Sequence, residues 1–287
     1  MCLRPSVPAG CPVLTWWEAA ILGLVEGITE YLPISSTGHL IIVSALLGLD
    51  ESPVQKQAVD AYTIVIQGGA ILAVLGLYRQ RVAQMIRGVF GRDAVGSRLF
   101  VNLLVAFMPA AVLGVLLNER IEQTLFYPKP VIAALAVGGV ALLFLSPWQK
   151  RFFHNADDPE HPDARSFTDL EHLTWRRARI IGLLQCVAMW PGTSRSMMTI
   201  IGGMFMGLRP KQAAEFSFLL GLPTLGGACV YKVAQHMTRE GPNMVEVLGL
   251  GSVLVGMAVA FVSAALAIKW LVRYLLSLIH ISEPTRQ

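Results

Sequence analysis

Five apolar blocks, each long enough to cross the hydrocarbon core of a bilayer, constrain the fold of this chain more than any other feature. That core is about 30 Å thick, and a helix needs about 20 apolar residues to span it. Only 15% of the 287 residues are charged, which leaves too little polar surface to cover a water-soluble globule. The sequence therefore predicts an all-α integral membrane protein, with spans at 61–78, 99–117, 131–148, 213–231 and 244–275.

The chain contains an internal repeat. Residues 14–49 align without a gap on residues 173–208, and 12 of the 36 aligned positions are identical. The identical positions include a Trp, a Gly and a Ser, which a shared apolar composition would not bring into register. We therefore predict a duplicated unit, with repeat 1 over residues 14–172 and repeat 2 over residues 173–275.

Each repeat begins with an apolar stretch that a Pro/Gly/Ser segment interrupts near its middle. The arms on either side are short for full spans at about 1.5 Å per residue, so we predict two re-entrant helix–loop–helix hairpins, over 16–48 and 176–208. Irregular backbone at membrane depth is tolerated where it is buried in protein or lines a wet cavity. Three single spans separate the hairpins, so we expect repeats of inverted topology whose tips meet near the bilayer midplane.

The distribution of basic residues predicts the orientation. Fifteen of the 23 Lys and Arg residues fall on one side of the predicted spans and six on the other. Basic residues concentrate in cytoplasmic loops, so the first side, with the loop 149–172, is expected to be cytoplasmic. The first hairpin then opens to the extracytoplasmic side.

Both ends of the chain look foreign to this fold. Residues 1–13 are rich in Pro, Cys and Gly and have no helical period, and we expect them to be disordered or non-native. Residues 276–287 resemble a translated sequencing adapter, which we expect to replace a native last helix.

Polar and ionisable side chains inside apolar segments are costly and are usually functional; here they concentrate at the two hairpin tips. In the first tip, Glu26 and Glu30 are four residues apart and so project from one helix face. The start of the return helix should favour an anion, because its backbone N–H groups are unpaired. That segment carries Ser35, Ser36, Thr37, Gly38 and His39.

The second tip repeats the design with different chemistry. Arg195 supplies a planar fork of donors suited to phosphate, Thr199 follows one turn later, and Gln185 takes the place of Glu26. Gly192, Ser194 and Ser196 complete the tip. The two tips together suit a metal–diphosphate substrate, with Glu26 and Glu30 as oxygen ligands for Mg²⁺ or Ca²⁺.

Simpler interpretations of the same residues stay open. Glu26 and Glu30 could form a helix–helix hydrogen-bonding pair or a proton relay, and His39 could be an interior histidine with a satisfied hydrogen bond. Arg195 could be a structural cation for Glu30. Glu215 lies inside the span that follows the second hairpin, and the sequence leaves open whether its carboxylate faces the site.

The segments EGITEYLPISSTGHL and PGTSRSMMT together resemble the undecaprenyl-diphosphate phosphatase family of the bacitracin-resistance type. The signatures of that family are an ExxxE pair that runs into PxSSTGH, and PGxSRSxxT. Both signatures are complete here, and the likeness covers roughly residues 15–275.

The resemblance implies removal of the terminal phosphate from a C55 polyprenyl diphosphate, which regenerates the monophosphate carrier of cell-wall synthesis and confers bacitracin resistance. Glu26 and Glu30 would bind the divalent cation or assist proton transfer, and Arg195 would clamp phosphate. Ser36 would be the nucleophile, unless a metal-bound water takes that role, and His39 would be its base or the leaving-group acid. The implied substrate contacts are Ser35, Thr37, Gly38, Gln185, Gly192, Ser194, Ser196 and Thr199.

The resemblance also implies a location in the bacterial cytoplasmic (inner) membrane, with the site on the extracytoplasmic side. The expected partners are the polyprenyl diphosphate substrate and membrane lipids, with no nucleic acid, and a homodimer stays open. A polyprenyl-phosphate flippase or another secondary transporter is the alternative function, because inverted broken-helix repeats are also a transport architecture.

Overall fold

The computed structural model describes residues 14–50, 53–157, 167–237 and 248–280, and the regular structure within these ranges is helical. The first end segment singled out from the sequence, residues 1–13, lies outside the described residues. Residues 281–287 of the second end segment also lie outside them. Short 3-10 turns lie at Leu170–His172 and Cys186–Met189. The α-helices are α1 (Trp16–Thr29), α2 (Ser36–Leu46), α3 (Pro53–Leu77), α4 (Arg79–Val89), α5 (Ala94–Leu125), α6 (Pro128–Asp157), α7 (Trp175–Gln185), α8 (Arg195–Phe205), α9 (Pro210–Met237) and α10 (Leu250–His280).

Five of the described helices are long and apolar enough to cross a membrane, as judged by length and composition. This confirms the prediction of an all-helical chain and fits a multi-pass membrane protein. The candidate membrane-crossing segments are Gln55–Leu77, Ala94–Leu117, Pro128–Leu145, Pro210–Lys232 and Leu250–Leu275.

The helices extend beyond the apolar blocks that predicted them. Helix α6 continues to Asp157, inside the segment expected to be a loop, and α10 continues to His280, inside the segment expected to be a foreign tail. Helix α4 was not predicted. It is amphipathic, with Arg79 and Arg87 among apolar residues, so a search for continuous apolar blocks passes over it. Polar residues end the apolar block that predicts a membrane span, but the helix itself can continue past them.

The internal repeat of the sequence is visible in the helix boundaries. Helices α1 and α7 begin at Trp16 and Trp175, and α2 and α8 begin at Ser36 and Arg195, so each pair is offset by the same 159 residues as the sequence alignment. The ends of α2 and α8 keep this offset as well. The two hairpins are therefore built from equivalent pieces at equivalent positions.

An aligned pair of glycines lets each hairpin pack tightly on a long helix. A β-carbon at Gly23 of α1 would lie 2.4 Å from the carbonyl oxygen of Gly256 on α10. A β-carbon at Gly182 of α7 would lie 2.2 Å from the carbonyl oxygen of Ala106 on α5. Small residues let helix backbones approach closely in membrane proteins, so α10 and α5 act as equivalent supports for the two hairpins.

Candidate active site

The tips of the two hairpins are in direct contact. The Ser196 hydroxyl donates a hydrogen bond of 2.7 Å to the backbone carbonyl of Leu32 in the first tip. Ser194 lies 3.5 Å from the same carbonyl and 3.0 Å from the Ser196 hydroxyl. These two serines therefore join the tips to each other.

An ion pair bridges the tips beside this contact. The Arg195 guanidinium, at the first residue of α8, lies 3.1 Å from one carboxylate oxygen of Glu30. It also donates a hydrogen bond of 3.2 Å to the backbone carbonyl of Ser217 on α9. The Arg195 and Glu30 side chains are only 12% and 6% exposed, so the pair is shielded from solvent. The other carboxylate oxygen of Glu30 accepts a hydrogen bond from the Ser36 hydroxyl.

The backbone at the start of α2 adopts an unusual conformation. Ser35 is the non-glycine residue with positive φ among the described residues, at φ 67° and ψ 103°. Strained backbone of this kind costs about 1–3 kcal/mol and persists where the surroundings fix it, often at functional sites. It turns the chain so that Ser36 faces Glu30. His39, one turn further, directs Nδ1 at the Ser35 carbonyl, 2.7 Å away; a carbonyl only accepts, so Nδ1 carries the proton and Nε2 is left for other partners.

Glu26 is the carboxylate that the protein leaves open. It is fully buried, and neither of its oxygens has a hydrogen-bond partner among the described residues. Unpartnered donor atoms also occur on Tyr31, Gln185 and Arg195. A buried polar group without a partner costs free energy, so this arrangement fits a bound ligand that supplies the missing contacts.

A divalent cation fits the open carboxylate. Mg²⁺ is usually held by one or two carboxylates together with substrate phosphate oxygens and water. Glu26 has both oxygens available, and Glu30 lies one helical turn away on the same face. The described part of the chain has no cluster of three or more His, Cys, Asp or Glu side chains that could hold a metal. Glu26 and Glu30 could therefore supply only part of a coordination sphere.

The rest of the second tip supports Arg195. Thr199 is fully buried; its hydroxyl bonds the Arg195 carbonyl at 2.9 Å and the Ser217 hydroxyl at 2.6 Å. Gly192 has φ 98°, and a β-carbon there would lie 2.5 Å from the Val131 carbonyl oxygen on α6. Glycine is the residue that meets both demands.

The structure thus divides the predicted site residues into two groups. Glu30, Ser36 and Arg195 come together, with His39 one turn from Ser36. The hydroxyls of the other group bond protein atoms: Ser194 and Ser196 bond the first tip, and Thr199 bonds α8 and α9. Their contacts with substrate stay predictions.

The remaining predicted residues are close to the tips by position. Gln185 is buried on α7 and lies 3.5 Å from the Thr224 hydroxyl. Thr37 is half-buried and Gly38 is buried, both in the first turn of α2. A β-carbon at Gly38 would lie 2.8 Å from the side chain of Leu135 on α6.

Sequence reasoning missed three neighbours of Arg195. The Tyr31 ring is fully buried with its centroid 6.0 Å from the guanidinium. Ser217 accepts from Arg195 through its carbonyl. A β-carbon at Gly221 would lie 3.2 Å from the guanidinium, so a small residue makes room there. A polar residue inside an apolar span was a usable signal for Ser217.

Glu215 does not belong to the tip cluster. Its carboxylate accepts a hydrogen bond of 2.7 Å from Arg81, the third residue of α4. Arg81 also reaches Glu171, 3.3 Å away. The pair therefore ties the start of α9 to α4.

The fold and the site together define a class, that of multi-pass helical membrane proteins with a buried carboxylate, hydroxyl and guanidinium site at the junction of two helical hairpins. Comparison with known families gives the particular family. The chain belongs to the family described as bacitracin resistance protein BacA, whose family model matches residues 19–278.

Individual relatives agree with this membership. The chain is 42% identical over 261 residues to an undecaprenyl-diphosphatase of Sorangium cellulosum, which covers 91% of this chain and 79% of that protein. It is 46% identical over 259 residues to undecaprenyl-diphosphatase 2 of Rhodospirillum rubrum, covering 90% and 86%. An undecaprenyl-diphosphatase of Nitrosomonas europaea is 42% identical, covering 90% and 85%. These names are of phosphatases and do not favour the flippase alternative.

Proposed function

We propose that this chain hydrolyses undecaprenyl diphosphate to undecaprenyl phosphate and inorganic phosphate. The observation that carries the proposal is the contact between Arg195 and Glu30 across the tips, with the Ser36 hydroxyl on the same carboxylate. The names of the relatives support the choice of substrate. Such an activity recycles the lipid carrier for cell-wall synthesis and, by keeping the diphosphate scarce, confers resistance to bacitracin.

In the same proposal, the hairpins re-enter the membrane from opposite sides as an inverted repeat. Helices of 14 and 11 residues, such as α1 and α2, reach about 21 and 17 Å at 1.5 Å per residue. Both lengths fall short of a core of about 30 Å. With the basic loops in the cytoplasm, the protein lies in the bacterial cytoplasmic membrane and its site opens to the extracytoplasmic side. The polyprenyl tail stays in the hydrocarbon while the diphosphate reaches the tips.

Arg195 binds the terminal phosphoryl group. Its guanidinium is fixed by Glu30 and by the Ser217 carbonyl, while its Nε has no partner within the described part of the chain. The N-terminal N–H groups of α2, at Thr37 and Gly38, supply further donors for phosphate oxygens. Fixed donors of this kind stabilise the charge that develops on a phosphoryl group during transfer.

Ser36 is the nucleophile in this proposal, and Glu30 accepts its proton. The Ser36 oxygen bonds to the terminal phosphorus while the bond from that phosphorus to the bridging oxygen breaks, and undecaprenyl phosphate leaves. Water then attacks the phosphorus of the phosphoserine, which releases inorganic phosphate and restores the hydroxyl. His39 holds or donates a proton through Nε2, because its Nδ1 is committed to the Ser35 carbonyl.

Glu26, with Glu30, would hold a divalent cation such as Mg²⁺ or Ca²⁺. The bound cation would neutralise charge on the diphosphate oxygens. The support for this assignment is the open, buried carboxylate of Glu26. Association into a homodimer stays a prediction.

Phosphate release by the purified protein tests the proposed function. The assay uses the full chain in detergent with a C15 or C55 prenyl diphosphate and Mg²⁺, and compares it with an Arg195→Ala variant. Arg179→Ala is the matched control, because Arg179 is exposed on α7, where it lies over the Trp175 ring at 5.5 Å. We expect release by the wild type and by Arg179→Ala. Release by the wild type no faster than by Arg195→Ala would refute the proposal.

A further inference from the structure

One face of α3 is polar over much of its length. Lys56, Asp60, Thr63 and Gln67 follow one another at intervals of four, three and four residues, so they form a single stripe on a helix of 3.6 residues per turn. The same helix is apolar enough to cross a membrane. Polar residues in such a helix are costly and usually functional, yet the proposed reaction uses none of these four.

The α3 polar stripe lies between the surfaces of α3 that contact α1 and α9. Tyr62 is fully buried, and its hydroxyl donates a hydrogen bond of 2.9 Å to the Ala19 carbonyl on α1. Thr63 is the next residue, so its side chain projects about 100° around the helix axis from that of Tyr62. On the other side, the Gln67 side chain lies 3.8 Å from Cys229 of α9. Thr63 and Gln67 therefore face the space between α1 and α9.

The inner end of the stripe reaches the neighbourhood of the hairpin tips. Gln67 is one turn from Ala70, and Ala70 belongs to the buried cluster that contains Tyr31. Tyr31 follows Glu30 in the chain, and its ring lies beside the Arg195 guanidinium. The stripe therefore leads towards the ion pair that bridges the tips.

The outer end of the stripe is exposed and carries one charge of each sign. Lys56 and Asp60 are exposed, whereas Thr63 and Gln67 are half-buried. The Lys56 ammonium lies 5.9 Å from the centre of the Tyr127 ring, between α5 and α6. The first turn of α6 also contacts the second tip at Gly192, so the outer end and the tips belong to the same region of the protein.

We propose that the α3 polar stripe is one wall of an aqueous route by which phosphate passes between the hairpin tips and the side of the membrane where α3 begins. The inference rests on the proposed function, because hydrolysis of a diphosphate releases inorganic phosphate. This anion cannot leave through hydrocarbon, where a charge is strongly disfavoured. Thr63 and Gln67 supply hydrogen-bonding groups along the path, and the Lys56 ammonium supplies one charged donor at its mouth, one turn from the Asp60 carboxylate.

Cysteine accessibility tests the route without requiring turnover. The four native cysteines are replaced by serine, and Thr63→Cys or Gln67→Cys is introduced. Leu72→Cys is the matched control, because Leu72 is 47% exposed on another face of the same helix. Each protein is treated, in right-side-out and in inverted membrane vesicles, with an anionic, membrane-impermeant thiosulfonate. Thermal unfolding checks that each variant is folded.

We expect Thr63→Cys and Gln67→Cys to react at least about tenfold faster than Leu72→Cys, because the reactive thiolate forms in water and not in lipid. The reaction should occur from the side where α3 begins, and inorganic phosphate should slow it. Rates equal to that of Leu72→Cys, or reaction only from the opposite side, overturn the route. If one variant is unfolded, the other decides.

The two proposals fail separately. Labelling of Thr63→Cys or Gln67→Cys, together with no phosphate release by the wild type, would refute the hydrolase and leave the aqueous route in place. Phosphate release without labelling of the stripe would refute the route alone.

Discussion

The guanidinium of Arg195 and the carboxylate of Glu30 lie 3.1 Å apart although 165 residues separate them in the chain. Each belongs to a different hairpin, so this distance measures how closely the two halves of the duplicated chain meet. The pairing of Arg195 with Glu30, one of the alternatives that the sequence left open, is present in the structure. Pairing does not exclude catalysis, since the guanidinium keeps a donor for phosphate at Nε.

Replacing Arg195 should lower activity, and the loss should be larger when more hydrogen-bond donors are removed. We expect Arg195→Ala to lower kcat/KM by about 10²–10³-fold, the usual cost of a lost charge-stabilising donor. Arg195→Lys should lose less, because it keeps the charge but not the planar fork. The measurement is phosphate release at saturating Mg²⁺, with Arg179→Lys as the same substitution on an exposed part of α7.

Stability gives an independent check on this pair. Removal of one partner of a buried ion pair leaves an uncompensated charge and costs about 3–5 kcal/mol. Arg195→Met should therefore lower the thermal unfolding midpoint, and Glu30→Gln added to it should recover part of the loss. A double variant no more stable than the single one would mean that the pair is not buried as described.

Substitutions of the two carboxylates should separate cation binding from proton transfer. We expect Glu26→Gln to raise the concentration of Mg²⁺ or Ca²⁺ needed for half-maximal activity, because Glu26 has the open oxygens. Glu30→Gln should lower turnover at every cation concentration, because its carboxylate receives the Ser36 hydrogen bond. Titration of phosphate release with each cation measures both effects. Identical titration curves for the two variants would contradict the division of roles.

Loss of a hydroxyl should lower turnover much more at Ser36 than at Ser194. Ser36→Ala should reduce turnover by about 10³-fold or more, as for loss of a nucleophile elsewhere. Ser194→Ala should keep most of its turnover, because its hydroxyl bonds the Leu32 backbone. Acid quenching during turnover of a substrate labelled in its terminal phosphate should trap label on wild-type protein but not on Ser36→Ala. Absence of label in the wild type would favour direct attack by water.

The positive φ of Ser35 predicts that the protein tolerates glycine at this position. Ser35→Gly should leave the thermal unfolding midpoint unchanged or raise it, because glycine adopts φ near 67° without steric cost. Ser35→Val should destabilise the protein by about 1–3 kcal/mol, because a branched β-carbon is strained there. Equal midpoints for the two variants would show that the backbone at Ser35 relaxes.

The helix contacts of the hairpins predict a contrast between glycines. Gly23→Leu should strongly destabilise the protein or prevent folding, because even a β-carbon would meet the α10 backbone. Gly76→Ala is the control: no atom of the residues that the structure describes lies within 4 Å of a β-carbon there, and alanine favours a helix by up to about 1 kcal/mol over glycine. Thermal unfolding in detergent measures both. A Gly23→Leu protein as stable as the wild type would place α1 further from α10.

The sequence predicted the hairpin helices well because Trp16, Gly23 and Ser35 have counterparts at a constant offset. Those residues mark a helix start, a close helix contact and a helix N-cap, so their repetition fixes local structure. Prediction was weaker wherever a side chain chooses among partners that are distant in the chain. Glu215 pairs with Arg81 across 134 residues, and no local pattern encodes that choice.

The serines of the second tip, Ser194 and Ser196, also have a partner that is distant in the chain. A hydroxyl next to an arginine is a reasonable phosphate ligand when only one tip is considered. In the structure the tips approach so closely that the Ser196 hydroxyl also bonds the Leu32 carbonyl. The distance between the tips is a property of the whole fold, so the bonds of Ser194 and Ser196 to the first tip could not be predicted from their own segment.

The close contact between α1 and α10 also matters while the protein is being made. At about 5–20 residues per second, α10 leaves the ribosome roughly ten to fifty seconds after α1. For all of that time α1, which carries Glu26 and is followed directly by Glu30, lacks the helix on which it rests. The insertion machinery must therefore shelter this helix and its buried carboxylates until nearly the whole polypeptide has been synthesised.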